Sequence, residues 1–448
     1  MRAEEAALHR MGTPSALAPD GGASSSHDVR LPGGTPGVTA CRSCGAGLHG
    51  FVDLGMSPLC ESFVASDALQ AGEMFYPLNV RICSHCWLGQ LGQYVQPDHL
   101  FTEYAYFSSF SQSWLRHAER YVEMATERFG LDQNSFVVEV ASNDGYLLRN
   151  FVARGIPCLG IEPAQNVARA AEAIAVPTLA SFFGRALAGT LSEQGRGADL
   201  LIGNNVLAQV PDLNDFAAGL ATLLKPEGVL TLEVPHLARL IQGNQFDTIY
   251  HEHFSYFSLA SIDHLMANHG MRVFDVEELP SHGGSLRVFA CRASAHHAET
   301  PSVKRLRDFE SAAGVRELAT YQRFQEQVCE TKRKILGLLS DLKRSGARIA
   351  GYGAPGKGNT LLNYCGIGTD FLDFTVDRNP YKHGLFLPGS RIPIFAPDAI
   401  DQNRPDYVMI LPWNLAAEIT AQLAHIASWG GRFIIPIPEP RVMVPAPA

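Results

Sequence analysis

Phe136-Val-Val-Glu139-Val-Ala-Ser-Asn-Asp-Gly145-Tyr-Leu-Leu148 is the stretch from which the fold of this chain can be read. Five residues rich in β-branched side chains, Phe136 to Val140, are too short for a helix and predict a buried strand. Small and polar residues follow, with Gly145 able to supply a turn of positive φ, and then a leucine-containing helical start. An apolar strand that carries an acidic residue near its end and runs into a tight turn and a helix is how a nucleotide-bearing ligand is held at the carboxyl edge of a parallel sheet. The strict G-x-G-x-x-G is absent, because the turn reads A-S-N-D-G, so the local pattern for a dinucleotide is weak here.

The same alternation continues outward. Cys158–Ile161, Leu200–Gly203 and Val229–Val234 predict further strands, separated by Ala-rich and Leu-rich helical stretches. Leu159-Gly-Ile-Glu162-Pro places a second acidic residue at a strand end, where it can accept hydrogen bonds from ribose hydroxyls. Ala198-Asp-Leu-Leu-Ile-Gly-Asn204-Asn205 and Leu224-Lys-Pro-Glu-Gly228-Val-Leu complete the series. Together these blocks read as a class I S-adenosylmethionine methyltransferase domain. Its candidate cofactor residues are Glu139, Ala141, Ser142, Asn143, Gly145, Glu162 and Asn204. A second α/β series follows at Arg348–Tyr352, Phe374–Asp377, Tyr407–Leu411 and Arg432–Ile437, with helical segments at 356–364 and 414–428. Between the two series lie a strand at Leu286–Cys291 and a charged helical connector from Val303 to Ser345.

The length of 448 residues suggests about three domains. With 46% hydrophobic and 18% charged residues, the chain can bury several cores. Its net charge of -9, from 36 Lys+Arg against 45 Asp+Glu, argues against nucleic acid and anionic membrane as partners. No apolar run approaches the roughly 18 residues of a membrane span, and no secretory leader precedes the first domain, so the expected location is the cytoplasm. Residues 1–37, rich in Gly, Ala, Ser and Pro, predict a disordered tail. A helix is expected from Gln112 to Phe129, with charges at 116, 119, 120, 123 and 127.

Nine cysteines are too few for a disulfide framework. Four of them form two pairs, Cys41-x2-Cys44 and Cys83-x2-Cys86, whose spacing turns both thiolates of each pair toward one tetrahedral Zn²⁺. The 38 intervening residues exceed the common spacing of about 15 to 20, so the module must carry an insertion. His49 and His85 are substitute ligands in principle, but four cysteines already close the site. Cys60, Cys158, Cys291, Cys329 and Cys365 read as small apolar residues.

Two further blocks carry chemistry. Tyr250-His-Glu252-His253-Phe-Ser-Tyr-Phe257 is not a metalloprotease helix, because the second histidine of H-E-x-x-H would fall at Ser255. It remains an acid/base cluster, with packing as the competing reading of His251 and His253. Gly351-Tyr-Gly353-Ala-Pro-Gly356-Lys357-Gly358-Asn359 fails as a P-loop, since Gly358 stands where a metal-binding hydroxyl is required. It does match G-x-G-x-x-G after a strand, with Asp377 21 residues beyond Gly356, and so admits either NAD or a nucleotide-sugar diphosphate.

The order of these blocks, joined by H-G-G-S-L-R-V, V-D-R-N-P and L-P-W-N-L, resembles the sugar C-methyltransferase family over about residues 38–440. The resemblance implies three parts: a zinc-binding module (38–100), a central Rossmann-like S-adenosylmethionine domain (101–275) and a C-terminal Rossmann-like α/β domain that holds a nucleotide-sugar (276–440). It implies methylation of a ring carbon, C3 rather than C5 by expectation, of a nucleotide-linked 4-keto-deoxysugar in deoxysugar biosynthesis. His253 is then the general base, with Tyr250 and Glu252 orienting it or the sugar, and Tyr104 approaching the sugar from the N-terminal side, with Tyr106 as its alternative. Gly353, Gly356, Lys357, Asn359, Arg378, Asn379 and Trp413 are the implied substrate residues. Gln209 stands where the family commonly has His, which removes one rival base or signals altered chemistry. The competing classes are an NAD-dependent sugar oxidoreductase using Asp377 and a non-catalytic zinc-ribbon protein that binds nucleotide-sugar. The sequence does not set the oligomeric state, and a monomer is compatible with it.

Overall fold

The computed structural model describes residues 40–92, 108–110 and 112–445. The expected tail at 1–37, Tyr104 and Tyr106 lie outside the described residues. Three sheets organise the rest. The central one has the order β10-β11-β8-β7-β4-β5-β6. Its members are β4 (Val137–Val140), β5 (Cys158–Ile161), β6 (Thr178–Leu179), β7 (Ala198–Asn204), β8 (Leu224–Pro235), β10 (Met271–Leu279) and β11 (Ser285–Arg292). Strands β4 to β8 are parallel, and β11 and β10 close one side as an antiparallel hairpin. Val137, Val138, Leu200, Leu201 and Ile202 are fully buried, because helices cover both faces, and this is why these strands read as continuous apolar runs.

The helix α1 (Gln112–Phe129) has the expected bounds and buries Ala118, Tyr121, Val122 and Ala125, the i, i+3, i+4, i+7 stripe of an amphipathic helix. The C-terminal sheet is β14-β13-β12-β15-β16-β17. It comprises β12 (Ile349–Tyr352), β13 (Phe374–Val376), β14 (Ile394–Phe395), β15 (Tyr407–Ile410), β16 (Arg432–Ile435) and β17 (Arg441–Met443), parallel except for β17. A third, antiparallel sheet joins β1 (Leu48–Ser57), β2 (Tyr76–Cys83) and β3 (Gly89–Leu91) to β9 (Ser255–Tyr256), which arrives from far along the chain. The architecture is therefore a zinc-module sheet, a Rossmann-like methyltransferase core and an additional α/β sheet domain.

Three expectations are corrected. The boundary at 275/276 falls inside β10, and both β10 and β11 belong to the central sheet, so that sheet runs on to Arg292. The connector 303–345 is two helices, α3 (Pro301–Ala312) and α4 (Leu318–Arg344), broken where Gly314 takes φ +70. The helix expected at 414–428 is an α-helix only over Ala416–Gln422, flanked by 3₁₀ turns.

Helix α4 packs against β1, with the Phe51 and Tyr321 rings 4.9 Å apart, so the zinc-module sheet and the C-terminal sheet share one apolar core. Residues between β1 and β2 reach further: Val64 bridges Phe386, and Gly389 N–H donates to Glu73. That excursion is the insertion implied by the long gap between cysteine pairs. It carries Cys60 and Glu61 to the start of α5 (Gly356–Cys365), where Asn359 Nδ2 donates to the Cys60 carbonyl.

Candidate active site and metal centre

Each C-x-x-C pair occupies a tight turn. Cys41 N–H donates to Ala46 and Gly45 N–H to Cys41, with Gly45 at φ +75; Cys83 N–H donates to Leu88 and Trp87 N–H to Cys83. The turns set Cys41 Sγ 3.4 Å from Cys86 Sγ and Cys44 Sγ 3.5 Å from Cys83 Sγ, and all four sulfurs lie within 4.8 Å of one another. Four thiolates at about 2.3 Å from a tetrahedral zinc stand about 3.8 Å apart, so the donor set fits that ion. Gln90 Nε2 donates to Cys41 Sγ at 3.2 Å, and the amides of His85 and Cys86 point at Cys83 Sγ at 3.4 and 3.5 Å. Such N–H groups stabilise sulfur as thiolate.

The turn after β4 is strained where a ligand would sit: Ala141, Asn143 and Gly145 have φ of +56, +51 and +76. Glu162 holds it, accepting from Asn143 N–H at 3.0 Å and Ala164 N–H at 2.9 Å. The sequence assigned this carboxylate to ribose hydroxyls; in the folded chain it also orders the turn. Ser108 and Ser109 donate their amides to Asn143 Oδ1 and Asp144 Oδ2, so the segment before α1 comes down onto the same turn. Both carboxylate oxygens of Glu139, the Ser142 hydroxyl, Asp144 Oδ1 and Asn204 Oδ1 are buried without partners. Burial, with Glu162, Asp144 and Glu233 nearby, raises the Glu139 carboxyl well above its ordinary range. These acceptors at the carboxyl edge fit the hydroxyls and cationic groups of S-adenosylmethionine.

Beside this turn, Glu233 at the end of β8 accepts from Arg287 Nε at 2.9 Å and lies 3.0 Å from His117 Nε2. Burial pushes Glu233 up, but His117 and Arg287 more than offset it and hold the carboxyl below its ordinary value. Trp114 stacks on His117 at 4.8 Å and on Tyr146 at 6.2 Å, which places an aromatic wall at the cofactor turn.

Within the block 250–257, Ser255–Tyr256 form β9, paired with β3, and Leu91 N–H donates to the Phe254 carbonyl. His253 Nδ1 lies 3.3 Å from the Thr248 carbonyl. A carbonyl only accepts, so Nδ1 carries the hydrogen and Nε2 keeps its lone pair. Tyr250 lies against the His253 ring, with centroids 4.1 Å apart. Burial lowers His253 to about 4; the Thr248 bond opposes this, while His282 and Lys357 add to it. Glu252 moves the other way, to about 7, through burial and the neighbouring Glu61. Cys60 Sγ lies 3.7 Å from Glu252 Oε1. His251 is buried against Tyr76.

The substrate candidates divide. Lys357 Nζ donates to Asn414 Oδ1 at 2.8 Å and sits 5.0 Å from the Trp413 ring centroid. Trp413 Nε1 donates to Asp247 Oδ2 at 2.6 Å, and burial raises Asp247 to about 6. Gly353, at φ +90, leaves no room for a Cβ, which would stand 2.6 Å from Pro412. A Cβ on Gly356 would meet Cys60 Sγ at 2.8 Å. The Asn359 side chain is engaged with Cys60, and Asn379 caps the turn at Tyr381. Arg378 is exposed, 3.8 Å from Glu418, and lines a separate groove with Tyr352, Asp398 and His425. Asp377 accepts from Ala354 N–H and Asn379 N–H, so both oxygens of the residue required by the NAD reading already bind backbone.

Sequence reasoning missed Asp247, Asn414, Glu61 and His282. His282 had a signal, as the first residue of H-G-G-S-L-R-V, and its φ of +55 marks it as strained. The hairpin that carries it abuts the C-terminal domain, because a Cβ on Gly283 would stand 2.7 Å from Trp413. Asp247 had none, since only the fold brings it to Trp413.

Three family models match the chain in order. "Putative zinc binding domain" covers residues 41–101, "Methyltransferase domain" 114–276 and "C-methyltransferase C-terminal domain" 280–438. The chain is 39% identical over 410 residues to C-methyltransferase NovU of Streptomyces niveus, spanning 91% of this chain and 97% of that protein. Among solved structures, magnesium protoporphyrin IX methyltransferase ChlM from Synechocystis PCC 6803 with bound SAM is similar over 40% of this chain and 79% of its own, at 15% identity and a TM-score of 0.31. Near-complete coverage of both chains at 39% identity, with a four-cysteine zinc site and a vacant-acceptor turn in the matching domains, shows that this chain belongs to the S-adenosylmethionine-dependent C-methyltransferases that carry an N-terminal zinc-binding domain.

Proposed function

We propose that the enzyme methylates a ring carbon, C3, of a nucleotide-linked 4-keto-deoxysugar by way of an enolate. The observation that carries this reading is His253: its Nδ1 is tied to the Thr248 carbonyl, which directs the basic Nε2 away from the backbone, and Lys357 is near enough for its charge to act on the ring. A 4-keto group acidifies the neighbouring C3 hydrogen, and His253 removes it as a neutral imidazole. With a value of about 4, His253 is unprotonated at neutral pH but weakly basic. A diphosphate bound at Lys357 offsets the positive charge that helps to lower it and so strengthens the base when substrate arrives.

Glu252, at about 7, is largely protonated just below neutrality and can donate a hydrogen bond to a sugar oxygen, while Tyr250 holds the imidazole from one side. The 139–145 turn, Glu162 and Asn204 bind S-adenosylmethionine, which supplies an electrophilic methyl group. The test is a panel of nucleotide-linked 4-keto-sugars with labelled S-adenosylmethionine, read by mass and product NMR. A methyl group on oxygen, or on no sugar of the panel, overturns the reading. Nicotinamide absorbance changes without methylation mark an oxidoreductase, and sugar binding without turnover marks a non-catalytic protein.

A further inference from the structure

Cys44, a ligand of the four-cysteine centre, also belongs to a second cluster. Its Sγ and one nitrogen from each of His85 and His264 lie within 4.8 Å of one another. His85 is in the second cysteine turn; His264 is in α2 (Leu259–Asn268), the helix that begins directly after the 250–257 block. The two imidazoles meet edge to face, with centroids 5.1 Å apart and planes at 88°. A separate observation points to a ligand: His264 Nε2 is buried and has no hydrogen-bond partner. The backbone around the cluster is held independently, because Asn214 Nδ2 donates to the carbonyls of Arg42 and Ser43 at 3.0 and 3.1 Å.

We propose that Cys44, His85 and His264 form a second metal site, for a Zn²⁺-like cation, in which the Cys44 thiolate bridges to the four-cysteine centre. One thiolate and two imidazoles suit a borderline ion and not the oxygen-seeking Ca²⁺ or Mg²⁺. Four thiolates around one Zn²⁺ leave a net charge of about -2, and a second dication alongside neutralises it. Bridging uses a sulfur lone pair that the first ion leaves available. Three protein ligands leave the fourth position to water, so this ion exchanges more readily than the closed one. His264 comes from the methyltransferase core and the other two ligands from the zinc module, so the ion ties α2 to the cysteine turns.

The test counts metal in the purified full-length enzyme dialysed against buffered free Zn²⁺. The expected course is one tightly held equivalent rising to two as free zinc increases, with His85→Ala and His264→Ala each stopping at one. Retention of the first equivalent by these variants shows that the zinc module is folded. With ¹¹³Cd²⁺, the second equivalent is expected to produce a mixed nitrogen–sulfur resonance and to shift the four-sulfur resonance, since they share Cys44. Wild type that stays at one equivalent overturns the proposal, as does a His85→Ala/His264→Ala double variant that still reaches two.

Discussion

Two strand–turn–helix units, one after β4 and one after β12, look alike along the chain and end up with opposite electrostatics. After β4, both oxygens of Glu139, the Ser142 hydroxyl and Asp144 Oδ1 are buried and unpaired. After β12, the polar groups are stitched together: Asp377 accepts from Ala354 and Asn379, Thr375 Oγ1 donates to the Gly353 carbonyl, and Lys382 Nζ donates to the Ala354 carbonyl. What the second unit offers a ligand is the ammonium of Lys357. The first turn thus suits hydroxyls and cations and the second suits an anion, although the glycine pattern alone favours the second as the dinucleotide site. Pairing within the fold, and not the glycine spacing, decides what each turn can bind.

The base proposed above, His253, gives the largest expected effect. His253→Asn lowers kcat by about 10² to 10⁴ while both ligands still bind. Wild type incubated with sugar in D₂O without the methyl donor is expected to exchange the acidic C–H for deuterium, and the variant to do so far more slowly. Equal exchange rates would place the base at another residue, with Tyr104, Tyr250 and Glu252 as candidates.

Lys357→Ala separates the units. Loss of a charged hydrogen-bond donor of about 1.5–3 kcal/mol raises the nucleotide-sugar KM about ten- to hundredfold and leaves that for S-adenosylmethionine near its original value. The reverse pattern would exchange the two sites. Because the Lys357 charge helps to lower His253, the acidic limb of kcat/KM for free enzyme, expected near pH 4 in wild type and not near the ordinary 6.5, moves upward in this variant.

Glu162→Ala weakens S-adenosylmethionine binding by about 1.5–3 kcal/mol by calorimetry, through lost ribose acceptors and a loosened turn. Glu139 gives a finer signature. Burial and the neighbouring carboxylates raise its carboxyl well above the ordinary range, and a cationic ligand beside it shifts that equilibrium toward proton release. Calorimetry in two buffers of different ionisation enthalpy is expected to detect that proton in wild type and not in Glu139→Gln.

The smallest effect concerns stability. In the folded chain His253 titrates near 4 and unfolded near 6.5, so as pH falls from 6.5 toward 4 the unfolded chain takes a proton the folded chain refuses, and stability is lost. Asp247 works against this: folded near 6 and unfolded near 3.8, it binds its proton first in the folded state and adds stability as pH falls through 6. His253→Asn is therefore expected to flatten the acid-side loss of stability in denaturant titrations, and Asp247→Asn to steepen it.

Whatever is written in short-range pattern can be read from the order of residues alone. The parallel strands of both α/β units show as short apolar runs because they are buried on two faces. The bounds of α1 follow from its buried stripe. The zinc ligands follow from a two-residue spacing that local turn geometry converts directly into converging sulfurs. Long-range packing sets the rest: residues 255–256 extend the zinc-module sheet, the β10–β11 hairpin belongs to the central sheet, Trp413 meets Asp247, and Glu162 uses its oxygens partly on its own turn. These depend on pairing between segments far apart in the chain, two of them only two or three residues long, and the hydrogen-bond partner of a buried polar group is set by whichever distant segment the closed core brings to it.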